Sequence, residues 1–180
     1  MVPTVLPDFM LPNLANAKVG IIGEFEYILG KENMGWPEHE AAAAKWGGHI
    51  VSIADEDEYK FVRKLFSGDQ WLGAIRLRQD NGRGAEHWKW SDGTPWAWHK
   101  WADGEPNNAG GREDRVQMYP NGLWNDIPGT TRRPAVYKRP KGAGEKEAQR
   151  DAEAKKMKDG NARLLDFIAC LERGVRGTHS

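Results

Sequence analysis

Oxygen-bearing side chains are concentrated in one short segment, residues 103–115, which reads DGEPNNAGGREDR. It offers carboxylates at Glu105 and Glu113 and an amide at Asn107, and it has almost nothing that a core would bury. Such a segment has four possible uses: it can hold a cation, form a catalytic carboxylate pair, make a solvated turn, or dock a partner. The residue types alone leave all four open.

Catalysis is the least supported of these uses. Glu105 and Glu113 could form a carboxylate pair, but no further acid, base or nucleophile is indicated beside them. No serine stands in a nucleophile-elbow context, and the five histidines show no metal-ligand spacing. We therefore predict that the chain is not an enzyme.

The bulk composition excludes other classes of protein. Lys plus Arg number 26, and Asp plus Glu number 26, so no overall field draws the chain to nucleic acid. No stretch reaches the roughly 18 apolar residues needed to span a bilayer, and no signal peptide is visible. The single cysteine, Cys170, permits no intrachain disulfide. These absences favour an intracellular or organellar reducing compartment.

The elements that must position the oxygen-rich segment lie in the middle of three segments. Residues 1–24 carry Pro3, Pro7 and Pro12 and predict an extended arm. Residues 25–139 contain all nine tryptophans and predict the folded domain. Residues 140–180 predict a charged helical tail.

The domain segment combines helical and strand patterns. WPEHEAAAAKW and EDEYKFVRKLF have helical spacing, whereas WLGAI, EHWKWSDG, DRVQMYP and RPAVYKR predict short strands between turn-rich loops. Two helices followed by a long looped β region predict an α+β fold.

The tail predicts two helices with a break at residues 159–161, the sequence DGN. The first helix is polar all round, and the second has an apolar stripe at Leu164, Leu165, Ile168 and Leu171. Cys170 fits either a buried small hydrophobe or a thiol used between chains.

The order of motifs in residues 25–139 resembles the C-type lectin-like domain. Trp36 is followed by GGHIVSI, WLG and WKWSDGTP, and then by Trp101, EPNN, ED and WND. The distance from Trp36 to the Gly-Gly element and the position of GLWNDIP match that family's pattern. The resemblance implies the C-type lectin-like fold for this segment, with the arm and the helical tail outside it.

The resemblance also implies a ligand set for the oxygen-rich segment. In sugar-binding members, calcium is held by a Glu-Pro-Asn motif, a later glutamate and the Asn-Asp of Trp-Asn-Asp. The implied Ca²⁺ ligands here are Glu105, Asn107, Glu113, Asn125 and Asp126. The implied sugar contacts are Glu105, Asn107, Glu113 and Asn125. Pro106 would follow a cis peptide bond.

The order of the motif bears on the sugar. Glutamate followed by asparagine goes, in that family, with mannose-like ligands that have equatorial vicinal diols, whereas Gln-Pro-Asp would suggest galactose. An accessory calcium site would use Asp80, Glu86, Asn108 and Asp114.

The chemistry of calcium agrees with the main ligand set. Ca²⁺ takes roughly six to eight oxygens from carboxylates, amides, backbone and water. Three carboxylates within about 4 to 5 Å would otherwise repel by roughly 3 to 4 kcal/mol per pair. Without calcium the carboxylates must move apart, take up protons or recruit another cation, and Arg112 and Arg115 are close enough in sequence to be that cation.

The chain departs from the family at its four usual cysteines, where it has Ala43, Arg115, Gly129 and Tyr137. Both bridges are lost as complete pairs, Ala43 with Tyr137 and Arg115 with Gly129. A bridge closing a loop of about 100 residues is worth on the order of 4 kcal/mol in the chain-entropy model. Buried tryptophans, the arm and the tail are expected to compensate.

Two functions remain open. The first is a calcium-dependent, mannose-type carbohydrate-binding module. The second is a non-enzymatic accessory or scaffold subunit of a larger assembly, with residues 1–24 and 141–180 docking to partner chains. The partner is accordingly a mannose-like glycan or a protein subunit, and neither nucleic acid nor a transmembrane segment is expected.

Overall fold

The computed structural model describes residues 19–176, without the side chains of Glu147 and residues 166–176. Most of the predicted arm and the side chain of Cys170 therefore lie outside the described residues. The chain divides into two units between Lys141 and Gly142.

The first unit combines eight strands with two α-helices. Its strands are β1 (Gly20–Ile22), β2 (Phe25–Met34), β3 (His49–Ile50), β4 (Gln70–Arg76), β5 (Trp88–Trp90), β6 (Arg115–Met118), β7 (Trp124–Ile127) and β8 (Arg133–Pro140). Its helices are α1 (Trp36–Lys45) and α2 (Glu56–Leu65), with a short 3₁₀ turn at Ala109–Gly111. The predicted α+β class is confirmed.

The strands form one sheet in the order β1-β2-β8-β4-β6-β7, with β3 beside β8 and β5 beside β4. Neighbouring strands are antiparallel, except that β4 meets β8 in parallel at Trp71 and Ala135. Strands β1 and β2 come before the helices, so the expectation that the helices lead the domain is wrong. The end of the predicted arm forms β1 and pairs with β2.

Two hydrophobic clusters lie against this sheet. One contains Tyr59 and Val62 of α2 together with Trp88, Trp90, Trp101 and Trp124. In it, the Trp124 ring lies 5.4 Å from Trp98, 5.7 Å from Trp90 and 6.1 Å from Trp101. The other contains Ala42 and Ala43 of α1 together with Trp71 and Tyr137.

Noncovalent contacts join the segments that the missing bridges would have linked. Ala43 and Tyr137 lie in the same buried cluster. His39 Nε2 lies near the carbonyl oxygens of Glu32 and Arg133, so it carries the proton, and Nδ1 accepts a hydrogen bond from the Tyr137 hydroxyl at 2.6 Å. This bond ties α1 to β8.

The second missing bridge has a similar replacement. The Gly129 amide donates to the Asp114 carboxylate at 2.9 Å, and Arg115 pairs with the same carboxylate at 2.8 Å. The Arg115 guanidinium also lies 4.5 Å above the Trp36 ring. The start of β6 is thus fixed to the segment after β7 without sulfur.

The second unit is the helix α3 (Ala143–Arg176). It runs without interruption through Asp159, Gly160 and Asn161, so the predicted break is wrong. Glycine inside a helix costs only about 1 kcal/mol relative to alanine, which the surrounding helical sequence tolerates. Among the described residues, no helix is long and apolar enough to cross a membrane.

Candidate metal and sugar site

The loop between β5 and β6 is brought to β7 by backbone hydrogen bonds. Trp124 donates its amide to the Lys100 carbonyl at 2.8 Å, and Ala102 donates to the Trp124 carbonyl at 2.9 Å. The Glu105 amide then donates to the Ala102 carbonyl at 3.0 Å. The oxygen-rich segment therefore starts beside the strand that carries the Asn-Asp pair.

Asp126 is the point at which the two segments meet. Its carboxylate is fully buried and accepts hydrogen bonds from the backbone amides of Asn107 at 3.0 Å and Asn108 at 2.8 Å. The Glu105–Pro106 peptide bond is cis, as the resemblance implied. The proline segment and β7 thus converge.

The other predicted ligands lie around this point with different partners. Glu105 Oε1 accepts a hydrogen bond from the side-chain amide of Asn107 at 2.8 Å. Glu113 Oε2 accepts one from the backbone amide of Ala109 at 2.7 Å. Asn125 Oδ1 and, while Glu105 is ionised, Glu105 Oε2 are buried and meet no hydrogen-bond donor of the protein. These two oxygens are free to accept a ligand.

The carboxylates are close enough to affect one another's protonation. Burial, a hydrogen bond to Asp126 and the charge of Asp126 raise the pKa of Glu105 to about 6. Burial and the charge of Asp126 also raise the pKa of Glu113, against the Ala109 hydrogen bond that lowers it. A protonated Glu105 can share its proton with Asp126, which explains part of the shift.

The cation beside these carboxylates is one that the sequence did not indicate. Arg76, at the end of β4, is buried and donates from Nη2 to Asp126 Oδ2. The positive charge beside Asp126 therefore comes from Arg76 and not from the predicted Arg112 or Arg115. Arg115 pairs with Asp114 instead. The sequence shows an arginine directly after the apolar run WLGAI, but nothing local indicates that its partner is Asp126.

The accessory calcium site is not assembled. Asp80 and Glu86 both pair with His87, at 2.5 and 3.0 Å, and Asp114 pairs with Arg115. Asn108 donates its amide to Gln79 at 3.3 Å. Between residues 19 and 176, the described side chains contain no group of three or more His, Cys, Asp or Glu in a metal-holding arrangement.

The chemistry of the main donor set nevertheless fits Ca²⁺. Calcium binds carboxylate and amide oxygens in a tolerant geometry. The unpartnered oxygens of Glu105 and Asn125 belong to two of the five predicted ligands, and the Asp126 carboxylate lies next to Glu105. The site therefore supplies acceptor oxygens that no donor in the protein meets.

The sequence comparisons identify the family. Residues 32–138 match the family model of the Lectin C-type domain. The low affinity immunoglobulin epsilon Fc receptor of Mus musculus is 35% identical over 101 residues, which cover 56% of this chain and 29% of that protein. The chain therefore corresponds to less than a third of that relative's length.

The solved structures show the same fold. The cow C-type carbohydrate-recognition domain of CD23, solved in the presence of a GlcNAc2Man3 oligosaccharide, has a TM-score of 0.59 and 27% identity over 68% of this chain and 92% of that one. A calcium-independent type II antifreeze protein has a TM-score of 0.60 and 23% identity over 68% and 91%. The predicted C-type lectin-like fold is confirmed.

Proteins of this family are carbohydrate-binding or structural proteins rather than enzymes, which agrees with the prediction of a non-enzymatic chain. The family typically binds Ca²⁺, although calcium-independent members share its fold. Since the family model matches more than half of its residues, this chain belongs to the C-type lectin domain family.

Proposed function

We propose that this chain is a calcium-dependent carbohydrate-binding module with a preference for mannose-like sugars. The observation that carries the proposal is the pair of buried, unpartnered oxygens, Glu105 Oε2 and Asn125 Oδ1. A buried acceptor without a donor costs about 1 to 3 kcal/mol. A cation held by Glu105, Asn107, Glu113, Asn125 and Asp126 would remove that cost.

The charge of the site supports a divalent ion. Glu105, Glu113 and Asp126 carry three negative charges when ionised, and Arg76 contributes one positive charge. The net charge of these four side chains is then two negative charges, which is what one Ca²⁺ neutralises. Burial is the largest cause of the raised pKa values of Glu105 and Glu113, and the charge of Asp126 adds to both shifts.

The protein side chains would orient the sugar. The ion would supply positive charge that attracts the oxygens of two vicinal hydroxyls. Glu105 and Glu113 accept hydrogen bonds from sugar hydroxyls, and the amides of Asn107 and Asn125 donate to them. The 2.8 Å hydrogen bond from Asn107 to Glu105 already holds these two side chains next to each other.

The preference for mannose rests on the order of acceptor and donor. Glu105 accepts and Asn107 donates, which is the order that accompanies equatorial 3,4-type diols in the resembling family. The relative solved with a GlcNAc2Man3 oligosaccharide belongs to the same family. Exchange of the two roles, by Glu105→Gln with Asn107→Asp, is expected to shift the preference towards galactose.

Calcium titration with sugar competition tests the proposal. Protein retained on a mannose resin in Ca²⁺ should be released by EDTA and by mannose, but not by galactose at the same concentration. Asn125→Ala and Asp126→Ala should abolish retention, whereas Asn161→Ala, the same change on the exposed face of α3, should not. Because modules of this kind bind calcium at about 10⁻⁴ to 10⁻³ M, the titration must reach that range. Retention that survives EDTA would refute calcium dependence.

A scaffold role is a second candidate, favoured by the exposed apolar residues of α3. Met157, Leu164 and Leu165 are 71%, 56% and 67% exposed. Such side chains on a long helix are suited to docking against another protein. Sedimentation of the full chain and of a chain ending at Lys141, each with native extract, tests this role: the same monomeric sedimentation for both would exclude docking through α3.

A further inference from the structure

Arg76 is a buried cation surrounded by protein oxygens. Its Nε donates to the Glu113 carbonyl at 2.5 Å, its Nη1 donates to the carbonyls of Asp80 and, at 3.4 Å, Arg78, and its Nη2 pairs with the Asp126 carboxylate. The guanidinium carbon lies 4.4 Å above the Trp88 ring. The side chain is fully buried.

These oxygens come from three separate parts of the chain. The carbonyls of Arg78 and Asp80 belong to the loop after β4, the Glu113 carbonyl belongs to the loop before β6, and Asp126 belongs to β7. Several carbonyls and a carboxylate directed at one point form the kind of surrounding that binds a hard cation. Here a guanidinium meets them, and its planar fork with five donors can serve all of them at once.

The same arginine fixes the carboxylate that holds the proline segment. Asp126 accepts the amides of Asn107 and Asn108, so its orientation decides where that segment lies. The Arg76 contact is charge-assisted and shielded from water, which makes it stronger than a neutral hydrogen bond. Both loops are therefore anchored to one side chain of β4.

We propose that Arg76 is a built-in cation that orders the calcium-site loops, taking the place of an accessory metal ion. The loops keep their arrangement when calcium is removed, and the domain takes up one Ca²⁺ rather than two. The expected uptake of one Ca²⁺ rests on the proposed function, whereas the ordering of the loops by Arg76 does not. Arg76 is a positioning residue: it contacts the Asp126 carboxylate and the backbone carbonyl of Glu113.

Hydrogen exchange of the calcium-free protein tests whether the loops stay ordered without calcium. In EDTA, the amides of Asn107 and Asn108 should be protected in the wild type. Arg76→Ala should speed their exchange by at least about tenfold, the scale expected for lost charge-assisted hydrogen bonds. Arg78→Gln, which removes a neighbouring exposed arginine, should leave their exchange unchanged.

Two further variants separate a local role from general unfolding. Added methylguanidinium should restore protection in Arg76→Ala, because the small cation fits the vacated space, while amides between β2 and β8 stay protected throughout. Arg76→Lys, which keeps the charge but loses the fork, should be intermediate. Free exchange of Asn107 and Asn108 in the calcium-free wild type would overturn the proposal, as would wild-type protection in Arg76→Ala.

Calorimetric titration of calcium tests the ion count. A stoichiometry of one is expected, and a stoichiometry of two would overturn the claim that Arg76 replaces an ion. If no calcium is taken up while the loop amides remain protected, the proposed sugar-binding function fails but the ordering role of Arg76 stands. The two proposals can therefore fail independently.

Discussion

Acidification should weaken calcium binding, because Glu105 must lose a proton before it can act as a ligand. Burial, together with the hydrogen bond to and the charge of Asp126, raises its pKa to about 6. Below that pH most of the calcium-free protein carries a proton on Glu105. The raised pKa of Glu113 acts in the same direction. Calcium then has to displace protons that an ordinary carboxylate would not hold.

The size of the effect follows from linkage. For one group with a pKa of about 6, binding of one ion should release roughly 0.5 protons at pH 6 and about 0.9 at pH 5. The affinity at pH 5 should be roughly elevenfold lower than at pH 8 from Glu105 alone. Glu113 can only increase this difference.

The raised pKa of Glu105 affects the stability of the calcium-free protein in the opposite direction: acidification stabilises its fold, although it weakens calcium binding. A carboxyl group whose pKa is raised on folding contributes stability below its ordinary value of 4.5, and that contribution is lost as the pH rises through about 6. Calcium should therefore raise the melting temperature more at pH 7.5 than at pH 5.

Titration calorimetry in two buffers with different ionisation enthalpies measures the released protons directly. Glu105→Gln keeps an oxygen ligand but should remove most of the proton release at pH 6. Asp103→Asn makes the same kind of change at an exposed position of the same loop and should keep the wild-type release. Calcium binding with equal affinity at pH 5 and pH 8 would refute this reasoning.

Three further predictions concern the scaffold that supports the site. Trp124→Ala should lower the free energy of unfolding by about 3 to 5 kcal/mol in urea titrations, because the ring is fully buried among other tryptophans; a loss below about 1 kcal/mol would contradict this. Lys138→Met should lower the free energy of unfolding by about 3 to 5 kcal/mol, because it leaves the buried Glu58 carboxylate without the Lys138 ammonium, whose Nζ lies 2.5 Å from Glu58 Oε1. Adding Glu58→Gln should recover part of the loss. Burial lowers the pKa of His39, so its contribution to stability is full above pH 6.5 and is lost as the pH falls below that value, by at most about 1.4 kcal/mol per pH unit. Melting temperatures of wild type and His39→Asn between pH 7.5 and 5.5 should show this slope only in the wild type.

Local patterns predicted the helices and the strands that run through buried residues. Helix α2 follows Asp55, whose carboxylate accepts the amides of Asp57 and Glu58, and its apolar spacing places Tyr59 and Val62 in the core. The Glu-Pro-Asn and Trp-Asn-Asp motifs predicted that two distant segments converge, and the amide hydrogen bonds to Asp126 join them.

Strand β2 was missed because its alternation is interrupted. Gly30 and the charged Lys31 and Glu32 break the strand alternation in residues 25–34, for which no element was predicted. Glycine is needed at residue 30 because a Cβ atom there would lie 2.6 Å from the Tyr137 hydroxyl oxygen. That restriction comes from a residue far along the chain, so no local pattern reveals it.

Arg76 was missed for a similar reason. Its partner Asp126 lies 50 positions later, and the sequence pointed to Arg112 and Arg115 only because they are near the carboxylates along the chain. Sheet pairing of β4 with β6, and of β6 with β7, brings Arg76 to Asp126. Electrostatic neutralisation is decided by distance in space, which here depends on strand order.

The packing of the tryptophan rings has a practical consequence. Trp124 directly precedes Asn125 and lies within 6.1 Å of four other indoles. Rings this close couple their electronic transitions, so the near-ultraviolet circular dichroism of the domain should contain exciton bands that depend on their mutual angles. Occupation of the proposed site is then expected to change those bands in unlabelled protein, because Trp124 is next to the predicted ligand Asn125 in the chain.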